Sequence, residues 1–223
     1  MLLAEAVGFE PTEGFPSTVF KTVAFIHSAT PPYIAFEARF TNGHRFAQHS
    51  ESPPRIPYNT GMDDEAYMRI ALDEARRAAA CGEVPIGAVV VYEPIDPATR
   101  RATAEPQIIA QAGNRRERTK DPAGHAEFVA LEEAARALDA WRLSDCTVYV
   151  TLEPCIMCAG LMHQARVRRC VYGAFDPKAG ALGTLYRINE DERLNHTFEV
   201  TSGVLADECA AELRAFFSAK RKK

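Results

Sequence analysis

The stretch Thr147-Val148-Tyr149-Val150-Thr151-Leu152-Glu153-Pro154-Cys155-Ile156-Met157-Cys158 changes character halfway along. Residues 147–152 are rich in β-branched and aromatic side chains and predict a strand. Pro154, which has no N–H to lose, suits the first turn of a helix. That helix carries Cys155 and Cys158 three positions apart, on one side. A helix start exposes unpaired N–H groups and partial positive charge, so thiolates placed there are stabilised below the free cysteine pKa of about 8.5.

The flanking sequence continues the alternation of strand and helix. Asp63-Asp64 can cap a helix whose Met68, Leu72, Ala75 and Ala79 recur at spacings of four, three and four, and Gly82 ends it. Residues 86–91 read as a buried strand and Ile108-Ile109-Ala110 starts a return strand, which together predict a long hairpin. His125 opens a helix to about Leu138, with Phe128, Leu131, Ala135 and Leu138 facing inward. Arg169-Cys170-Val171-Tyr172 and residues 197–201 predict two further strands. Their connection is long enough to cross the sheet, so strands 4 and 5 can lie parallel. Residues 207–219 read as a terminal helix with Leu213, Phe216 and Phe217 as its apolar side. The expected fold is α/β, a three-layer α/β/α sandwich around a five-stranded mixed sheet.

His125-Ala126-Glu127 lies about thirty residues before the cysteine pair. One imidazole and two thiolates make a donor set suited to zinc, and three protein ligands leave a fourth tetrahedral position for water. A structural zinc site wants four ligands, and the chain offers no second close cysteine pair. Glu127 does not share the face of His125 on a regular helix, yet from the first turn it can still reach that water. Zinc lowers the pKa of water toward about 7. Glu127 would take the proton, deliver it to a ring nitrogen and then protonate the departing amine, because amide ion is too basic to leave unassisted. A catalytic metal site acting on an amino-substituted base is therefore expected.

Composition agrees with a soluble globular protein: 47% of residues are hydrophobic and 25% charged, with a net charge of −4. No global basic field advertises nucleic acid, although a local basic site remains compatible. The six cysteines show no secreted disulfide pattern, which favours a reducing cytoplasm. No membrane span is expected, since Lys21, His27 and Pro31-Pro32 interrupt the apolar stretch at 18–36.

The two site motifs are accompanied by Glu83-Val84-Pro85-Ile86-Gly87-Ala88, Thr151-Leu152-Glu153-Pro154 and Gly203-Val204-Leu205-Ala206-Asp207-Glu208-Cys209. Gly173-Ala174-Phe175-Asp176-Pro177-Lys178 and Asn195-His196 complete the set. In these residues the chain resembles the zinc-dependent cytidine/deoxycytidylate deaminase superfamily, most closely the bacterial tRNA-specific adenosine deaminases, over residues 62–223. The resemblance implies a cytidine deaminase-like fold and one Zn2+ per subunit held by His125, Cys155 and Cys158, with Glu127 as proton shuttle. This ligand set and glutamate role are common to zinc deaminases as a class.

It further implies that Asn114 hydrogen-bonds the target base, an amide having both the donor and the acceptor an adenine edge requires. Asp176 would approach the flanking nucleotides. Plainer readings are a turn residue after Gly113 and a loop cap, respectively. The implied reaction is hydrolytic deamination of adenosine to inosine at the wobble position (34) of a tRNA anticodon, in an arginine tRNA, by a homodimer. Arg115-Arg116-Glu117-Arg118, Arg166-x-Arg168-Arg169 and the cationic tail at 220–223 are candidate phosphate contacts, or simply solvated surface. The rival readings are a deaminase of a free base or nucleoside, such as guanine or cytosine, and a non-catalytic zinc-stabilised RNA-binding module.

Residues 1–61 carry many prolines and aromatics and no clear period, closing on Pro53-Pro54, Pro57 and Asn59-Thr60-Gly61. They are expected to be a disordered extension or to lie outside the natural protein, with Met62 the start of the deaminase domain. Residues 93–107 form a connection longer than the short turn usual in the family. It would be harmless to stability, and could alter tRNA contacts if it lay at the mouth of the site.

Overall fold

The computed structural model describes residues 63–99 and 101–221. The extension at 1–61, Met62 as a start and the last two lysines of the tail lie outside the described residues.

The first helix, α1 (Asp64–Ala80), begins where the capping signal placed it, with the Asp63 carboxylate accepting from Ala66 N at 2.9 Å. Its buried stripe is Tyr67, Met68, Ala71, Leu72, Ala75 and Ala78, so Ala78 takes the place expected for Ala79. Gly82 closes the helix with φ +83°, a backbone angle that glycine adopts without a Cβ clash. The strand β1 (Gly87–Tyr92) pairs antiparallel with β2 (Gln107–Gly113), from Gly87↔Gly113 to Tyr92↔Gln107, with a bulge between Val90 and Val91. A short α2 (Arg116–Thr119) leads to α3 (Ala126–Ala137).

The quoted stretch supplies β3 (Cys146–Leu152) and α4 (Ile156–Ala165). Cys155 is the N-cap of α4, so Pro154 stands one residue outside the helix rather than in its first turn. Next come β4 (Arg169–Ala174), a single 3-10 turn at Ile188–Glu190, β5 (Glu199–Ser202) and α5 (Ala206–Arg221). The sheet runs β2-β1-β3-β4-β5. The β1–β3 pair is antiparallel, while β3–β4 and β4–β5 are parallel, which bears out the expected parallel fourth and fifth strands.

Alternate residues of the central strands point into two separate cores, as a strand period of two requires. Val148, Val150 and Cys170 pack with Val129, Ala130, Leu131 and Met162 of α3 and α4. Tyr149 and Val171 pack with Met68 and Leu72 of α1 and Cys209 of α5. This is the three-layer sandwich. Two packing expectations need correction. On α3 the buried face is Ala126, Glu127, Val129, Ala130, Leu131 and Ala134; Ala135 and Leu138 pack partly buried against the same core as expected, while Phe128 is half-buried and does not join it. On α5 only Cys209 is fully buried, and Phe217 of the expected apolar side is exposed.

The strands have a site end and a far end. The far end carries Tyr92, Gln107, Cys146 and Arg169 in register; the other carries Gly87, Gly113, Leu152 and Ala174. The long connection at 93–107 therefore lies at the far end, a strand length of roughly 20 Å from the metal motifs. Its described residues make an Ile95↔Ala102 bridge, an Asp96 cap on Ala98 N at 2.7 Å and an ion pair from Glu93 to Arg168 at 2.7 Å.

Candidate metal centre

Two strand-to-helix junctions meet at the site end. After β3, the chain turns through Glu153-Pro154 and starts α4, which places Cys155 at the N-cap and Cys158 in the first turn. After β2, it passes Asn114 and α2 before His125 caps α3 in an extended conformation, φ −76° and ψ 146°. The extended cap takes the His125 ring off the helical spiral. That resolves the question of faces, since Glu127 can lie in the first turn and still address the same centre.

His125 Nδ1 lies 3.6 Å from Cys155 Sγ and 3.7 Å from Cys158 Sγ. The three ligand atoms all lie within 4.8 Å of one another. A tetrahedral zinc with Zn–S about 2.3 Å and Zn–N about 2.0 Å sets nitrogen and sulfur roughly 3.5 Å apart. The donor set and its spacing fit zinc. Among the described residues this is the group of histidine, cysteine and carboxylate ligands able to hold a metal ion.

The two sulfurs act on one another. Cys155 is lowered to about 4, chiefly by a hydrogen bond from Cys158, with His125 adding to it against the cost of burial. Cys158 is pushed up by that same hydrogen bond, by burial and by the Glu127 charge. A coordinated thiol is deprotonated outright, so both sulfurs would bind zinc as thiolates. His125 is raised by its bond with Cys155, which burial opposes. Glu127 is 4% exposed and its Oε2 has no hydrogen-bond partner. Burial pushes its carboxyl from 4.5 up to about 7.

Asn114 is buried just after β2 at the same end of the sheet, its N–H donating to Ile86 O at 2.9 Å and its Nδ2 to Glu83 Oε2 at 3.3 Å. It is a held side chain rather than a free turn residue. Asp176 lies at the end of β4, and its Oδ1 accepts from Lys178 N at 2.9 Å and Ala179 N at 3.2 Å, a loop cap. Of the basic clusters, Arg168 and Arg169 are committed elsewhere. They pair with Glu93 at 2.7 Å and with Asp64 at 2.6 Å at the far end, so they are not free phosphate contacts. Arg115 is half-buried with its Nε enclosed, whereas Arg116 and Arg118 face solvent next to Asn114.

Two buried carboxylates escaped the sequence reading. Glu83 accepts from Asn114 Nδ2, from Glu117 N at 3.1 Å and from Arg118 N at 2.6 Å. Glu153 accepts from Asp176 N at 3.1 Å, Leu182 N at 3.2 Å, Thr184 N at 2.9 Å and the Thr184 hydroxyl. Each holds one loop beside the metal centre. The available signal was an acid standing between a strand and a loop or helix in an otherwise apolar context.

Glu153→Gln puts an amide NH2 among these donors and leaves at least one backbone N–H unpaired, a cost of about 1–3 kcal/mol. The expected result is hydrogen exchange at least about tenfold faster at Asp176, Leu182 and Thr184, with zinc still bound. Unchanged exchange would show that the loop does not depend on this carboxylate.

A sequence model of the cytidine and deoxycytidylate deaminase zinc-binding region matches residues 62–174. The tRNA-specific adenosine deaminase of Bacillus subtilis strain 168 is 49% identical over 160 residues, covering 72% of this chain and 92% of the relative. A solved structure from work on A-to-I editing by tRNA:A34 deaminases at the wobble position of transfer RNA is 41% identical, with a TM-score of 0.57, over 66% of this chain and 98% of that one. A guanine deaminase from Nitrosomonas europaea is more distant in sequence, 26% identical with a TM-score of 0.59, over 79% of this chain and all of that one. At this identity and over this length, the chain belongs to the cytidine and deoxycytidylate deaminase family, in the branch of the tRNA-specific adenosine deaminases.

Proposed function

We propose that this chain is a zinc-dependent tRNA adenosine deaminase that converts adenosine to inosine at the wobble position of an anticodon, with an arginine tRNA as the substrate and residues 62–223 as the working domain. The observation that carries the reading is the meeting of His125, Cys155 and Cys158 beside a buried carboxyl whose outer oxygen is unpaired. The substrate class follows from the tRNA-specific relatives, which match this chain over most of their own length.

His125, Cys155 and Cys158 would hold the zinc, which when bound lowers the pKa of water and supplies a nucleophile near neutral pH. Glu127 takes a proton from the attacking water and passes it to the adenine ring nitrogen; it then takes the second proton, from the hydroxyl now on the ring carbon, and delivers it to the amino group, whose C–N bond breaks to release ammonia. Asn114 orients the base; with Nδ2 directed at Glu83, its carbonyl oxygen and second N–H remain for the adenine edge. Asp176 shapes the neighbouring loop and meets the flanking nucleotides. Arg116 and Arg118 supply phosphate contacts. An anticodon loop already presents splayed bases, which lowers the cost of extracting the target.

The homodimer is supported by half-exposed Ile156, Met157, Leu185 and Tyr186 around a cavity of about 290 Å³ next to Cys155. No helix among the described residues is long and apolar enough to cross a membrane, and a tRNA substrate together with free cysteines suits the cytoplasm.

The test is incubation of the zinc-loaded protein with an anticodon stem-loop and, separately, with free adenosine, cytidine and guanine. Inosine, read as G at the wobble position, is expected in the stem-loop alone. Deamination confined to the free compounds would overturn the tRNA reading in favour of a small-molecule deaminase.

A further inference from the structure

Phe175 directly follows the buried end of β4, where Tyr172, Gly173 and Ala174 are all enclosed, yet it is 54% exposed. Its ring is not loose. It meets Tyr172 at 90° with centroids 5.5 Å apart, and the next backbone N–H, of Asp176, is held by Glu153 at 3.1 Å. Its position is set by the parallel register. Ala174 lies beside Leu152, and Glu153 N donates to Ala174 O at 2.8 Å. Phe175 and Glu153 therefore leave the sheet side by side, one strand spacing of about 4.8 Å apart, and Glu153 stands two residues before the ligand Cys155.

An exposed ring held in place by its neighbours is the kind of surface on which proteins stack the bases of single-stranded nucleic acid. Trp141, another strongly exposed ring, follows α3 and precedes β3 at the far end, with the Arg142 guanidinium 4.6 Å over it. That places it away from the reacting base. We propose that Phe175 is the stacking surface for a base flanking the target adenosine, an inference that rests on the tRNA reading above. The loop fixed by Glu153 presents this ring already ordered, so little freedom is lost when the base docks.

The test compares wild type with Phe175→Ala, Phe175→Trp and Phe175→Leu in the full zinc-loaded chain. The readouts are zinc content, solution mass, and KM and kcat on an anticodon stem-loop. Phe175→Ala should raise KM about tenfold with kcat within about twofold and zinc retained. Phe175→Trp should restore KM, while Phe175→Leu should not. An unchanged KM in the alanine variant, rescue by leucine as good as by tryptophan, or an altered solution mass would each overturn the proposal. The first would show no contact, the second simple apolar packing and the third a subunit interface. Wild-type inosine formation on the same stem-loop separately tests the tRNA reading. Should that fail, binding of a fluorescent stem-loop to wild type and to Phe175→Ala still decides whether the ring holds RNA.

Discussion

Glu127→Ala should leave zinc bound and reduce inosine formation by about 10⁴-fold, the upper range for a general acid–base group. The size of the expected loss follows from the number of proton transfers routed through one carboxyl. In the mechanism proposed above, the attacking water gives one proton to the ring and the hydroxyl it leaves gives a second to the departing amine, and both pass through Glu127. Loss of activity with the zinc retained distinguishes this residue from a metal ligand. Glu127→Gln keeps the shape and should be equally inactive. Residual activity within tenfold of wild type in either variant would show that the protons travel by another route.

The second large effect is expected at Cys158, which is buried at the start of α4. Cys158→Ala leaves two protein donors, too few for stable zinc, and should abolish both zinc content and activity. Zinc binds the folded state, so its removal also costs stability by mass action, about 4 kcal/mol when free zinc exceeds the dissociation constant a thousandfold. For a chain of this size, that corresponds to a fall in midpoint of roughly 8–16 °C. Chelation should bring wild type down toward the variant and leave the variant unmoved. Metal analysis by mass spectrometry checks it; a Cys158→Ala protein still holding one zinc would contradict the assigned ligand set.

The layers, the hairpin, the parallel pair at the end of the sheet and the donor set were legible because each is written in local chemistry. Asp63 caps α1, Gly82 ends it, and the ligands sit at helix starts. What was not legible depends on distant partners. On α3, Leu131 was expected inward and is, but the buried stripe continues through Glu127, Ala130 and Ala134 at helical spacing. A carboxylate on the core face breaks the apolar period, so periodicity alone does not place Glu127 there, nor Phe128 outside the core. On α5, the apolar stripe of Leu213, Phe216 and Phe217 is genuine in sequence, yet an apolar stripe does not say what covers it. Arg168 and Arg169 looked like free cations because Glu93 and Asp64 are far away along the chain. Glu83 and Glu153 were missed for the same reason, since their value lies in backbone N–H groups of loops that follow much later.

The far-end hairpin at 93–107 has a consequence for how this protein can change. Its ends are clamped by the β1–β2 ladder and by Glu93 on Arg168, so its tip can lengthen or shorten with little strain on the sheet. Substrate work is gathered at the opposite end, where both metal-bearing junctions meet. The fold thus separates a region free to drift from one that is not. A foreign sequence spliced into the tip, whether a label, a fluorescent domain or a tether to a solid support, would ride on the enzyme without entering its chemistry.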